Sequence, residues 1–379
     1  MVATIAARGN AVTAAHYYLH LESEPYYTEG NESSGLWLGK GAEALDLQGS
    51  VSKEQFAALL HGLHPQTQER LAVVGGKKRT HTAGHDLVFS APKSVSVLWA
   101  LTAGEDRSNI LKGHQRAVAK ALSCAEENHV ICRRGKGGRI KENVAGMVAA
   151  RFQHFSSRDL DPQLHTHCYI FNVAQRQDTT WGAILSKPLY QVQKQLGAQY
   201  RKALAEQLVQ LGYEAEVKQE TIQISGVSRE AELSFSKRRL EILQAARLIQ
   251  NRTASQMELI ALKTRKRKRE LPLPTLFQAW QARAKKLEIK VPAPRIRQDQ
   301  ALITEPTSPQ RRFDRALKRL NALTAQGATQ RPLSSTVKLL RAAMNKLGLV
   351  RKHRQQVLSN TPQRPVKVTQ DQSITSYNL

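Results

Sequence analysis

Two histidines one residue apart, His165 and His167 in "DPQLHTHCYIFNV", stand at the head of an apolar run. In a strand, side chains alternate between faces, so both imidazoles point at one spot. His154, in "MVAARFQHFSS", lies near the end of a preceding strand candidate. If the two segments pair as neighbours, it lands beside the other two. Three neutral imidazoles facing one point leave coordination positions open, as in a catalytic metal site rather than a sealed structural one. The competing reading is two polar residues on the wet face of a sheet.

Other residue types could serve such a centre. Asp86, in "GHDLVFSAPKS", sits early in another strand candidate. A carboxylate there either orients a metal-bound imidazole or takes a proton from a nucleophile, or it is an ordinary strand-end acid. Two tyrosine pairs, Tyr17-Tyr18 and Tyr26-Tyr27, lie nine residues apart. A phenol with a pKa of about 10 attacks poorly unless a base or metal assists. Next to a metal centre the two pairs could serve two successive transfers; elsewhere they are packing residues. "KSVSVLW" and the basic run at 265–269 are candidates for phosphate contact. His16, His61, His64, His81, His85, His114 and His129 have no comparable arrangement and read as surface or structural. No G-x-x-x-x-G-K-[ST] occurs, and "VVGGKKRTH" does not satisfy it, so no nucleotide-driven motor is visible.

The elements that must position these residues follow from periodicity and punctuation. "NAVTAAHYYLH" reads as a helix with Asn10 or Thr13 as N-cap, followed by a loop-rich stretch to Leu47. "SVSKEQFAALLHGL" is a helix in which Ser52 and Gln55 have capping-box spacing. "GHDLVFSAP" is a strand, "PKSVSVLWAL" opens a helix, and "ILKGHQRAVAKALSCAEENH" is a long amphipathic one. Residues 142–184 read as two or three antiparallel strands with polar connectors at 156–162 and 175–179. A helix ending at Gly212, a hairpin over 214–227 and helices over 228–250 and 253–263 follow. This order indicates an α+β fold rather than a parallel doubly wound sheet. From about residue 291 the text turns Pro- and Arg-rich. We expect a domain over 1–291 and a basic, partly helical, partly disordered tail over 292–379.

The chain of 379 residues carries 57 Lys/Arg against 31 Asp/Glu, a net charge of +26. The excess is lopsided: residues 263–379 hold 26 basic and 6 acidic residues. Such a field favours a polyanion, most simply nucleic acid; an anionic membrane surface is the rival. Three cysteines, Cys124, Cys132 and Cys168, are not spaced as a zinc module and suit a reducing compartment. With no signal-peptide pattern and no long apolar stretch, the expected location is cytoplasmic, with no membrane insertion.

Taken in order, "YY" and "YY", "WLGKGAEALDLQG", "DLVFSAPKSVS", "H-x3-R-D-x-x-PQLHTH", "LGAQYRKALAEQLVQLGYEAE", "FSKR", "TRKRK" and "WQARAKKLEI" resemble the MobF-type conjugative relaxases, members of the HUH endonuclease class. The likeness covers residues from about 10 to 290. It implies an antiparallel sheet of about five strands flanked by helices, with 228–291 a helical clamp over single-stranded DNA. It also implies that Tyr17 is the principal nucleophile, forming a 5′-phosphotyrosyl ester at a nick site, and that Tyr26 serves a later transfer. Tyr18 and Tyr27 match the companion tyrosines, His154, His165 and His167 the metal ligands, and Asp86 the acid linked to them. The cofactor implied is a divalent metal ion: Mg or Mn by abundance, with Zn, Ni or Co possible. The partners implied are origin-of-transfer DNA, relaxosome accessory proteins and a type IV secretion coupling protein, with possible transfer of the protein to the recipient cell. This His-x-His has the polar Thr166 at its centre, and the helicase domain of larger family members has no counterpart motif here. A rolling-circle replication initiator uses the same chemistry, and a non-catalytic DNA-binding accessory protein is a third reading.

Overall fold

A computed structural model describes residues 3–8, 11, 14, 15, 18, 35–72, 82–135, 138–247, 253–266 and 271–295, all within a unit spanning Met1–Gln298. Its centre is an antiparallel sheet of β1 (Ala3–Arg8), β3 (Gly84–Ser90), β7 (Pro162–Gln175), β6 (Gly146–Ser156) and β2 (Leu36–Leu38), in that spatial order, with β8 (Trp181–Gly182) pairing to β7. The α+β fold with a central antiparallel sheet, expected from the mixed element order, is what forms.

Both faces of the sheet are covered, which is why its central strands are apolar on both sides. One face packs against α3 (Lys93–Leu101), α4 (Gly104–Asn128) and α5 (Ser186–Gln210), around Leu98, Val118, Leu122, Leu196 and Leu204. The other packs against α2 (Lys53–Leu60), through Phe56, Leu59 and Leu60, and against Tyr18. Ala11, Ala14, Ala15 and Tyr18 are helical, as the sequence of that stretch indicates. The Ser52 hydroxyl accepts from the Gln55 N–H and starts α2. The hairpin of β9 (Ala215–Lys218) and β10 (Thr221–Ile224) lies beyond Gly212, as read from the sequence.

Five elements were not legible. The strand β1 has weak alternation. A second hairpin joins β4 (Ile131–Arg134) to β5 (Ile140–Asn143). Inside the stretch expected to be loop lie β2 and α1 (Lys40–Glu43), one short strand and one turn of helix. They are held by tertiary contacts: the Glu126 carboxylate accepts from the Lys40 N–H at 2.8 Å and the Met147 N–H at 2.7 Å. Gly39 has φ +95° there, and a Cβ on it would stand 2.2 Å from the Met147 carbonyl oxygen.

The last described part is helical: α6 (Arg229–Ser234), α7 (Lys237–Ala245), α8 (Ala254–Lys263) and α9 (Leu273–Lys286). Helix α6 stops at Phe235, whose ring is buried in the core, while the Ser236 hydroxyl donates to the Glu232 carbonyl at 2.6 Å. The turn between β6 and β7 is tied to these helices. Buried Asp161 accepts from the Lys237 N–H at 2.7 Å, and the Trp280 indole donates to the Leu160 carbonyl at 2.7 Å. Residues 296–379, most of the expected tail, lie outside the described residues.

Candidate active site

Register builds the site. In β7 the residues His165, His167, Tyr169 and Phe171 share one face, because side chains alternate. In the antiparallel ladder His154 sits directly across from His165, and Phe152 across from His167. On the other flank of β7, Asp86 stands across from Tyr169 and Val88 across from His167. Residues directly opposite project to the same side, so three imidazoles and one carboxylate from three strands converge on one face.

The ligand nitrogens of His154, His165 and His167 lie within 4.8 Å of one another. Two nitrogens at about 2.1 Å from one ion span roughly 4 Å at most, so small ring rotations suffice for shared coordination. Two of the rings are already aimed. His165 Nδ1 is 2.8 Å from the Gln163 carbonyl oxygen, which can only accept, so Nδ1 carries the proton and Nε2 offers its lone pair. His167 Nδ1 is 3.0 Å from both carboxylate oxygens of Asp86, which fixes the same tautomer. His167 is buried, while His154 and His165 are partly exposed, which leaves the centre reachable from one side. The donor set fits a divalent metal ion.

Asp86 is itself held. Arg8, from the edge strand β1, places Nη2 2.6 Å from Oδ2. Burial alone would raise the carboxyl pKa, but the neighbouring His167 and Arg8 outweigh it and bring the value down to about 2. Asp86 is therefore an anion that orients His167. The Tyr18 phenol lies near enough to the Arg8 guanidinium to act on it electrostatically, so carboxylate, guanidinium and phenol are neighbours.

Tyr18 is fully buried. Its ring packs against Phe56, Phe152 and Tyr169 and stands edge-on to His167 at 6.4 Å between centroids. Gly84 makes room for this aromatic layer, since a Cβ there would lie 2.6 Å from the Tyr169 ring. Tyr17, Tyr26 and Tyr27 lie outside the described residues.

One expectation about phosphate contact needs correction. In "KSVSVLW", Lys93, Ser94 and Ser96 point into the protein. The Lys93 ammonium donates to the Pro162 and Phe235 carbonyls, Ser94 to the Ile222 carbonyl, and Ser96 Oγ accepts from the Leu164 N–H. A helix packed on a sheet buries its inward face, and these hydroxyls satisfy backbone groups there. In the basic run, Lys266 is engaged with Asp159 and Glu241, while 267–270 lie outside the described residues.

Sequence reasoning missed Arg8, because the strand carrying it was not recognised. It also passed over His114, which is wholly buried and bonded to Thr166. One signal was available: Thr166, between the two histidines, must face the opposite side of the sheet, where a hydroxyl needs a partner.

Residues 11–287 match the family described as TrwC relaxase. The chain is 34% identical over 309 residues to the multifunctional conjugation protein TraI of Escherichia coli (strain K12), an alignment covering 78% of this chain and 17% of that protein. This chain thus spans about a sixth of that relative's length. Among solved structures, the conjugative relaxase TrwC in complex with oriT DNA in a metal-free state has a TM-score of 0.66 and 33% identity, covering 76% of this chain and 98% of that one. A metal-bound structure of the same complex gives the same TM-score, identity and coverage.

Proposed function

The chain belongs to the TrwC relaxase family, and on that premise we propose that it nicks one strand of an origin-of-transfer DNA by tyrosine transesterification, initiating and terminating conjugative plasmid transfer. The observation that carries this reading is the convergence of His154, His165 and His167 on one sheet face. Asp86 aims one of them, and Tyr18 is packed beside it.

Tyr17, one peptide bond from Tyr18, is the nucleophile in this reading. Its oxygen attacks the scissile phosphorus, the P–O3′ bond breaks, the phenol proton is given up and the departing 3′-oxygen is protonated. One phosphodiester is exchanged for a 5′-phosphotyrosyl ester of similar energy, so the step is reversible without ATP and the DNA end stays attached to the protein. Tyr26 serves a second transfer; Tyr18 and Tyr27 are companions, Tyr18 acting as a packed wall against His167. A divalent ion bound by the three imidazoles would neutralise charge on the non-bridging phosphate oxygens and fix the phosphate's position. All-nitrogen ligation favours Mn, Co, Ni or Zn in affinity, while abundance favours Mg or Mn. The residues of this chain supply the rest: Asp86 and Gln163 hold the ligand tautomers, and Arg8 holds Asp86.

The helices over 228–291 act as the clamp on single-stranded DNA, and the basic residues beyond them add phosphate contacts. Accessory proteins of the nicking complex and the coupling protein of a secretion system are the protein partners in this reading. No helix among the described residues is long and apolar enough to cross a membrane.

The test incubates the protein with single-stranded origin DNA and Mg²⁺ or Mn²⁺ and resolves the products on a denaturing gel. A metal-dependent covalent adduct is expected. His165→Ala should abolish it while DNA binding survives. Equal loss of DNA binding in His165→Ala would assign these histidines to the fold, and copy-number dependence in place of transfer dependence would favour a replication initiator.

A further inference from the structure

Behind the three imidazoles, on the opposite face of the same two strands, runs a chain of buried and half-buried polar side chains that the reaction does not use. Gln153 of β6 is 2.8 Å from the His165 carbonyl and 3.2 Å from the His154 carbonyl through Nε2. Thr166 Oγ1 is 2.9 Å from Gln153 Oε1. His114 of α4 places Nε2 2.8 Å from Thr166 Oγ1, and its Nδ1 2.7 Å from the Tyr200 hydroxyl of α5. His114, Thr166 and Tyr200 are fully buried.

The direction of every bond in this chain can be deduced. Carbonyl oxygens only accept, so the end of Gln153 facing His154 and His165 is its NH₂. The other end is then an oxygen, and Thr166 must donate to it. A hydroxyl has one proton, so towards His114 it can only accept, and His114 Nε2 carries hydrogen. The neutral imidazole then has a bare Nδ1, which accepts from Tyr200. Each donor meets an acceptor and none is left over. Burial drives His114 down to about 3 and Tyr200 well above 10, so both stay neutral and the directions do not change near neutral pH.

A wholly apolar layer would pack there at less desolvation cost, so the polar chain calls for a purpose. Its terminus supplies one. Pairing of β6 and β7 becomes irregular between His154 and Ser156, immediately beside the ligands. A strand slip of one residue sends every side chain to the other face. Gln153 bonds the carbonyls of two ligand residues, one on each strand, at the point where the ladder falters.

We propose that His114 and Tyr200, acting through Thr166 and Gln153, are positioning residues that hold the metal-binding edge of β6 and β7 in register from behind. This rests on reading the three imidazoles as the metal site. Thr166 at the centre of the His-x-His is then the hydroxyl through which the two long helices grip the ligand-bearing strand.

Co²⁺ titration followed by visible absorption tests it, because ligand-field bands report the geometry at the ion. Thr166→Val keeps the volume and removes the hydroxyl; about tenfold weaker Co²⁺ binding with altered bands is expected, comparable to loss of an outer-shell partner. Thr166→Ser should restore both affinity and spectrum. Should Thr166→Val fail to fold, Tyr200→Phe removes only the far end, and a roughly threefold loss with altered bands is expected. Wild-type affinity and spectrum in a folded Thr166→Val, or in Tyr200→Phe where that variant decides, would overturn the proposal. Absence of Co²⁺ bands in the wild type, or their persistence in His165→Ala, would instead overturn the metal-site reading on which it stands.

Discussion

Replacing Asp86 with Asn isolates what the buried carboxylate does. The side chain keeps its shape, but one oxygen remains where two donors need one. In the native protein Oδ2 takes the Arg8 guanidinium at 2.6 Å while both oxygens lie 3.0 Å from His167 Nδ1. In Asp86→Asn, whichever donor the amide oxygen serves, the other faces an NH₂. A hydrogen bond to a charged group contributes about 1.5–3 kcal/mol and a neutral one about 1 kcal/mol. His167 therefore loses about 1–2 kcal/mol of orienting energy, corresponding to roughly 5- to 30-fold weaker metal binding. Calorimetric titration with Mn²⁺ or Co²⁺ measures this, with circular dichroism confirming the fold. Arg8→Gln should weaken binding less, since the carboxylate then remains entirely available to His167. A folded Asp86→Asn that binds metal within twofold of wild type would refute the reasoning, because His167 would not depend on Asp86 for its aim.

Two further outcomes are expected. Burial holds the His85 imidazole down to about 4, below its ordinary 6.5. The unfolded chain thus binds a proton that the fold excludes; the contribution is full above pH 6.5 and is lost as pH falls towards 4. The loss is about 3 kcal/mol, so urea melts of His85→Gln should show a flatter decline over that range than wild type, and a parallel decline would count against it. Deleting 296–379, which removes 15 Lys/Arg and 4 Asp/Glu, should reduce the log–log salt slope of single-stranded DNA binding. The expected reduction is about 0.7 for each phosphate that the tail neutralises, and an unchanged slope would remove the tail from the interface. The deletion starts there because Arg295 is still anchored, its N–H donating to the Gly212 carbonyl at 2.9 Å.

What was legible in the sequence was what short-range pattern can encode. The two-residue spacing of His165 and His167 on an alternating strand gave their common face, and the polar connector before them allowed His154 to return alongside. Helices α4 and α5 are long enough for their periodicity to speak for itself. The illegible parts depend on distant partners. Three residues, Leu36–Leu38, become a strand only because β6 offers an edge, and Gly39 is needed because of how close Met147 approaches. Arg8 shows no local pattern, and its role emerges only when β1 pairs with β3. The basic hydroxyl-bearing stretch at Lys93 was misread because composition cannot distinguish a residue that binds phosphate from one that satisfies buried carbonyls.

The central claim is that a tyrosine of the N-terminal pair, served by the three-histidine centre, carries the DNA. Trapping the adduct on an origin oligonucleotide, digesting it and locating the nucleotide-bearing peptide by mass spectrometry tests this most directly. The phosphodiester is expected on Tyr17, with loss of the adduct in Tyr17→Phe and on chelation of the metal. An adduct on Tyr18, or nicking that leaves a free 5′-phosphate and no adduct at any time point, would contradict it.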